Sequence, residues 1–273
     1  MMTSKATAFL PDRDRLSVVT ATLAVALLSG YFIHLPGREI VLQISWLVLP
    51  VRITVANLLA VLIAALTVAG TDWVLSDHPS LGKRRTVSHW LLPALTAWVL
   101  EVLLQHLPLG GVWWGALFLG LALWLLVLLA EYIVIDGNDA RYPLAATGLT
   151  GLGFLLFFLL TVTVRSSGLR LFLTAPMLGL AGGVVALRTF NLQLHGVWRP
   201  VEAVFLIAIV AQLAAAWHYL PIPPVAFGLL LTASAYAATV YLGHLMEDQP
   251  PLQALWEPLV SFVLLMLLLP WAW

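Results

Sequence analysis

Long apolar runs separated by short polar joints set the rhythm of this 273-residue chain. Runs of roughly 20 apolar residues recur from Leu16 onward, each long enough as a helix to cross a hydrocarbon core of about 30 Å. Nine such helices are predicted, at about 16–34, 53–75, 88–107, 112–134, 143–164, 169–189, 200–219, 223–246 and 254–271. Pro143, Pro200 and Pro251 stand at predicted helix starts, where a missing N–H costs nothing. The runs are continuous and longer than the ten-residue alternating strands of a transmembrane barrel. The expected fold class is all-α: a polytopic membrane helical bundle forming a single integral membrane domain over residues 1–273.

One joint differs from the rest. Between Pro36 and Arg52 the pattern alternates after Gln43 and again around Arg52, which suits two short strands turning near Pro50. A small hairpin-like extended segment near 37–55, lying on the outer face, is the preferred reading; an interfacial helix is the alternative. The stretch from Ser88 to Ile135 reads as an antiparallel helix pair around which the chain is organised. Its turn has an echo: Leu107-Pro108, Val112, Gly115 and Leu117 recur as Leu220-Pro221, Val225, Gly228 and Leu230, always 113 residues later. That offset aligns the third and fourth helices with the seventh and eighth in the same orientation, as in parallel repeats.

Composition sharpens the class. Apolar residues make up 62% and charged residues 10%, against about a quarter charged in soluble domains. Mean hydropathy is +0.99. Net charge is zero, so no basic field points to nucleic acid as a partner. The absence of cysteine removes disulfides, thiol nucleophiles and cysteine metal sites together. The first apolar run lacks a small-x-small cleavage site before Pro36 and reads as a retained helix.

Basic residues orient the bundle. With the N-terminus inside, the inner segments hold Lys5, Arg13, Arg15, Lys83, Arg84, Arg85, Arg141, Arg188 and Arg199, and the outer ones Arg38, Arg52, Arg165 and Arg170. The inner majority predicts N-terminus in and, after nine crossings, C-terminus out, in a bacterial cytoplasmic membrane. Tryptophans cluster at both sets of predicted ends, as interfacial indoles do.

Glu101 is the first candidate for chemistry, a carboxylate within an apolar helix where charge is expensive. Gln105 shares its face one turn on. Gln212 and His218, from the seventh helix, are expected near the same outer-half region, giving a candidate pocket of Glu101, Gln105, Gln212 and His218. The alternative is an interhelical contact that fixes packing. A second group, Asp72, His89, Glu131, Arg188, Glu202, His244 and Glu257, sits at the inner boundary, with Arg188 expected to pair with Glu131 or Glu202. These lie near helix ends, where side chains reach water, and read as structural. The seven histidines show no His-Glu-x-x-His spacing. No metal, cofactor or catalytic residue is assigned.

Two resemblances fail on their own ligands. Asp136-Gly-Asn-Asp-Ala-Arg141 is similar to the core of the CDP-alcohol phosphotransferases, whose carboxylates hold a divalent metal. Ile133 stands where that motif needs an aspartate, and the following helix carries no acid. Asp72 and Asp77 resemble the first acidic loop of the aromatic prenyltransferases, but the second would fall at 191–199, which has no carboxylate. Over roughly 85–260 the chain resembles uncharacterised polytopic bacterial membrane proteins of unknown function, on Ala130-Glu-Tyr-Ile-Val134, Leu187-Arg-Thr189, Trp217-His-Tyr-Leu-Pro221 and Glu257-Pro258. That resemblance implies no activity.

The function expected first is a non-enzymatic accessory or scaffold component, touching membrane lipid and other membrane proteins. The alternative is a carrier or lipid-handling protein with a pocket around Glu101, and a third is a lipid enzyme using Glu101 and a histidine. Pro93 and Pro176, with glycines nearby, are the hints of the broken helices a carrier uses.

Overall fold

A computed structural model describes residues 11–32, 38–44, 47–53, 55–82 and 86–272, with side chains over 11–32, 58–82 and 86–270. Lys5, His34, Trp46, Lys83, Arg84, Arg85 and Trp273 lie outside the described residues. Helix α1 runs Arg13–Phe32 and is opened by Asp12, whose Oδ1 accepts the Asp14 N–H at 2.9 Å. Then come strands β1 (Arg38–Ile44) and β2 (Leu47–Ile53) and helix α2 (Val55–Leu75). A single 3-10 turn, Val87–His89, leads into α3 (Leu91–His106), followed by α4 (Gly111–Ile133) and α5 (Tyr142–Ser166). The chain continues as α6 (Leu171–Gln193), α7 (Pro200–His218), α8 (Pro224–Met246), α9 (Pro251–Ala254) and α10 (Trp256–Met266).

Among the described residues, eight helices are long and apolar enough to cross a membrane. Their outward faces carry large apolar side chains such as Leu119, Leu126, Leu144 and Phe205, with Leu119 74% exposed. In water such a girdle would drive association; against lipid tails it is the expected surface. The chain is a multi-pass membrane protein.

The predicted ninth helix at 254–271 takes another form. The helical run breaks at Leu255, α10 has only 11 residues, and a 3-10 turn follows at Leu269–Ala272. Eleven residues rise about 16 Å, roughly half a hydrocarbon core. The segment climbs antiparallel along α8: Glu257 meets His244 near one end, and Leu264 and Leu265 share a groove with Leu229 near the other.

Strands β1 and β2 pair antiparallel from Arg38 opposite Ile53 to Ile44 opposite Leu47. The turn expected near Pro50 is not there, because Pro50 stands within β2 opposite Val41. A two-stranded ribbon leaves each strand one free edge, where a residue without an N–H is tolerated. Pro93 is the third residue of α3, inside the first turn, and Pro176 is enclosed in an unbroken α6. Neither proline breaks its helix.

The α3–α4 pair joins two cores. Leu92, Leu95 and Val99 on one stripe of α3 pack with α5, α6, α7 and α8. Ala97, Leu100 and Leu104 on another pack with α1, α2 and Trp113, Leu117 and Trp124 of α4. Both stripes follow i, i+3, i+7 spacing, so a single helix serves two cores. The 113-residue echo reappears in the bounds: α4 (111–133) and α8 (224–246) are both 23 residues long and begin and end that distance apart. At one end of the bundle Arg165 closes α7, donating to His218 O at 2.6 Å and Leu220 O at 2.8 Å. These are carbonyls a helix terminus otherwise leaves unpaired.

Candidate functional site

The four residues expected to form one pocket fall into two places. Glu101 is 1% exposed on α3, and Gln105 Nε2 donates to its Oε1 at 2.9 Å. Across from it on α1, Gly30 leaves the space the carboxylate fills. Gln212 faces outward from α7, and His218 ends that helix, with its carbonyl held by Arg165. Helix α7 packs on α6 and α8, whereas Glu101 points from α3 toward α1. Helical periodicity places a residue on a face of its own helix; it does not say which helix that face meets.

At the opposite end a different cluster assembles. Glu131 closes α4 at 0% exposure, Arg188 lies in α6 at 1%, and His89 ends the 3-10 turn before α3. Arg188 Nε donates to Glu131 Oε1 at 3.0 Å, and its Nη2 pairs with Oε2. His89 Nδ1 lies 2.8 Å from the same Oε2. A carboxylate only accepts, so the proton sits on Nδ1. Arg188 Nη1 donates to Asn191 Oδ1 at 2.5 Å. Arg188 thus pairs with Glu131 and not with Glu202, which meets Arg199 at 3.5 Å. Two charges out of water hold only when both are paired and hydrogen-bonded, and here each is.

This cluster floors a cavity of about 310 Å³ at the end of the bundle. Arg188, His89, Asn191, Ser88 and Trp198 line it beside the apolar Leu81, Val134 and Ile135. One wall is a stacked pair, Tyr142 on His195, with centroids 5.6 Å apart and planes at 7°. Tyr142 is fixed by donating its hydroxyl to Leu192 O at 2.8 Å. The chain turns out of α6 through two left-handed residues, His195 at φ 50° and Gly196 at φ 97°, and Gly196 donates its N–H to Asn191 O to close the helix.

Asn191 is the residue sequence reasoning missed. It is 4% exposed, and its Nδ2 has no hydrogen-bond partner among the described residues. Arg188 can only donate, so Oδ1 must face the guanidinium and the amide nitrogen must face away from it. The signal was the i, i+3 spacing of Arg188 and Asn191 on one helical face.

The other inner-boundary residues form separate pairings. Asp72 accepts from Thr86, His244 meets Glu257 at 3.1 Å, and Arg15 meets Asp77 at 2.7 Å. The Asp136–Arg141 segment is a turn between α4 and α5 in which Arg141 donates twice to Asp139. These bonds hold the Asp139 carboxyl down at about 2 and push the guanidinium up. Among the described residues no three His, Cys, Asp or Glu side chains converge to hold a metal ion.

The arrangement is an internally paired polar floor under an open, half-apolar cavity, able to offer hydrogen bonds to a ligand. No curated protein and no solved structure matches the chain. One protein-family model matches residues 35–272, a span that includes α2 to α10 and every residue lining the cavity. The chain therefore belongs to the family described as protein of unknown function, DUF5656.

Proposed function

We propose that this protein is a lipid-handling membrane protein that binds the polar part of an amphiphile in the cavity between the 3-10 turn before α3, the α4–α5 turn and the end of α6, and works by binding rather than by catalysis. The observation that carries this reading is Asn191: a buried amide donor left unpaired beside a fully paired Arg188–Glu131 couple. Buried polar groups without partners are rare in proteins and call for a ligand or water. The half-apolar lining fits a molecule with a greasy body and a polar end.

The setting we infer is a bacterial cytoplasmic membrane with the Arg188 end in the cytosol. Arg141 and Arg199 stand at that end, and the sequence joining α2 to α3 carries Lys83, Arg84 and Arg85, the bias of cytosolic loops. The climb of residues 251–272 along α8 supports a ninth, shorter crossing that ends on the outer side. Membrane lipid is the partner on this reading, and other membrane proteins have the exposed apolar faces available to them.

The test is native mass spectrometry of the protein purified in mild detergent, beside a Ser88→Trp variant that fills the cavity. A lipid adduct carried by the wild type and lost from the variant is expected. The same adduct on both would overturn the cavity as the binding site.

A further inference from the structure

The charge arithmetic of the cavity floor narrows the ligand. Among the described residues lining the cavity Arg188 is the only arginine or lysine, always protonated, and both oxygens of Glu131 already engage it. His89 gives its Nδ1 proton to the same carboxylate. Among the described residues lining the cavity no arginine or lysine is left uncommitted, and both oxygens of Glu131 stand against the guanidinium. A phosphate or carboxylate entering here would meet that negative charge in a poorly screened, low-dielectric setting, with no free arginine or lysine among the described lining residues to offset it. Among the described residues lining the cavity, the buried side-chain donor without a partner is the Asn191 amide, an uncharged N–H group. Its natural complement is an uncharged oxygen acceptor.

We propose, resting on the cavity reading above, that the ligand is electroneutral and presents an ester carbonyl to Asn191 Nδ2: the chemistry of an acylglycerol rather than of a phospholipid headgroup. The site lies at the ends of α4 and α6, where a membrane's polar boundary begins, so a carbonyl at that depth has its acyl chains among the apolar walls. Val134, Ile135 and Leu192 provide those walls.

The test uses the full-length protein in mild detergent with four probes: dioctanoylglycerol, dioctanoyl phosphatidate, inorganic phosphate and the water-soluble ester triacetin. Binding is read by native mass spectrometry for the lipids and by thermal-shift titration for the two soluble probes. Dioctanoylglycerol is expected to bind at least about tenfold tighter than phosphatidate, with phosphate silent. Triacetin distinguishes the sources: an affinity equal to that of dioctanoylglycerol makes a soluble ester sufficient, and a much weaker one makes the acyl chains necessary; both support the acceptor class. Asn191→Asp keeps an oxygen for Arg188 Nη1 while removing the spare donor, and Asn191→Leu removes the donor without adding a charge; each is checked for a cooperative melt, and both are expected to lose about tenfold in dioctanoylglycerol affinity. Phosphatidate or phosphate binding as tightly as dioctanoylglycerol, and blocked by Ser88→Trp, would overturn the neutral-ligand assignment and leave the cavity reading standing. Binding of every probe untouched by Ser88→Trp would overturn both.

Discussion

Gly30 on α1 lies so close to Glu101 on α3 that a Cβ at position 30 would run into the carboxylate. The missing side chain on one helix is the berth for the charged group of the other. Glu101 is thereby tied to α1 and to Gln105 one turn along its own helix, which is why it forms no pocket with Gln212. Within the bundle it acts as a packing contact made of polar atoms.

Gly30→Ala should destabilise the protein by about 1–3 kcal/mol, the usual cost of forcing extra volume into a packed site. Glu101→Ala empties that space, so the double variant should be more stable than the sum of the single effects predicts. Thermal unfolding of the four proteins in detergent checks this; strict additivity would mean the two positions do not touch.

Removing Arg188 leaves the buried Glu131 carboxylate with the His89 N–H but without its cation. Arg188→Met should therefore cost about 3–5 kcal/mol. Adding Glu131→Gln to it removes the stranded charge and should recover part of the loss. A double variant no better than Arg188→Met alone would show that the pair contributes through something other than its charges.

The eight long spans and the importance of the α3–α4 pair were legible because apolar length and i, i+3 spacing are properties of the chain itself. Arg188 and Glu131 were visible as charges near apolar runs, yet the choice between Glu131 and Glu202 depends on which helices neighbour α6. Asn191 was hidden because an asparagine near a helix end is ordinary turn chemistry; only its place beside Arg188 sets it apart. Leu255 reads as one more apolar residue in a long run, but Pro258 carried the signal: it has no N–H for the Ala254 carbonyl, and the helical run breaks between them. The turn of the β1–β2 pair was misplaced because proline is so often a turn residue, while a ribbon edge also accepts it.

The loop after α2 should make stability fall in mild acid. His78 is buried against Tyr132, and Ser80 N–H donates to its Nδ1 at 3.1 Å, which requires that nitrogen to be unprotonated. Burial pulls its pKa below the ordinary value of 6.5, against the upward pull of Asp136; His89 adds to the lowering. A folded-state pKa below the unfolded one means the unfolded chain binds the proton more readily, so stability is fully present above about pH 6.5 and is lost as pH falls toward the folded pKa. Wild type should lose more stability than His78→Gln between pH 7.5 and pH 5.5 in parallel melts. Identical losses would place the acid sensitivity elsewhere.

Helices α6 and α7 approach through glycine, and that contact sets the backbone on which Arg188 and Asn191 ride. A Cβ at Gly183 would overlap Ile207 of α7, and one at Gly179 would come within 3.0 Å of the Ile207 carbonyl oxygen. The two obstacles differ in kind: Ile207 is a side chain that can be cut back at position 183, whereas the carbonyl facing position 179 is backbone and cannot. Gly183→Ala should thus cost about 1–3 kcal/mol and be largely rescued by Ile207→Ala, while Gly179→Ala should cost at least as much and resist that rescue. Because Arg188 lies five residues beyond Gly183 on the same helix, spreading α6 from α7 should also weaken lipid retention in the Gly183→Ala protein, and Ile207→Ala should restore it. Melting curves and lipid occupancy measured on the same preparations separate the two effects: stability restored without occupancy would detach the cavity from the α6–α7 contact.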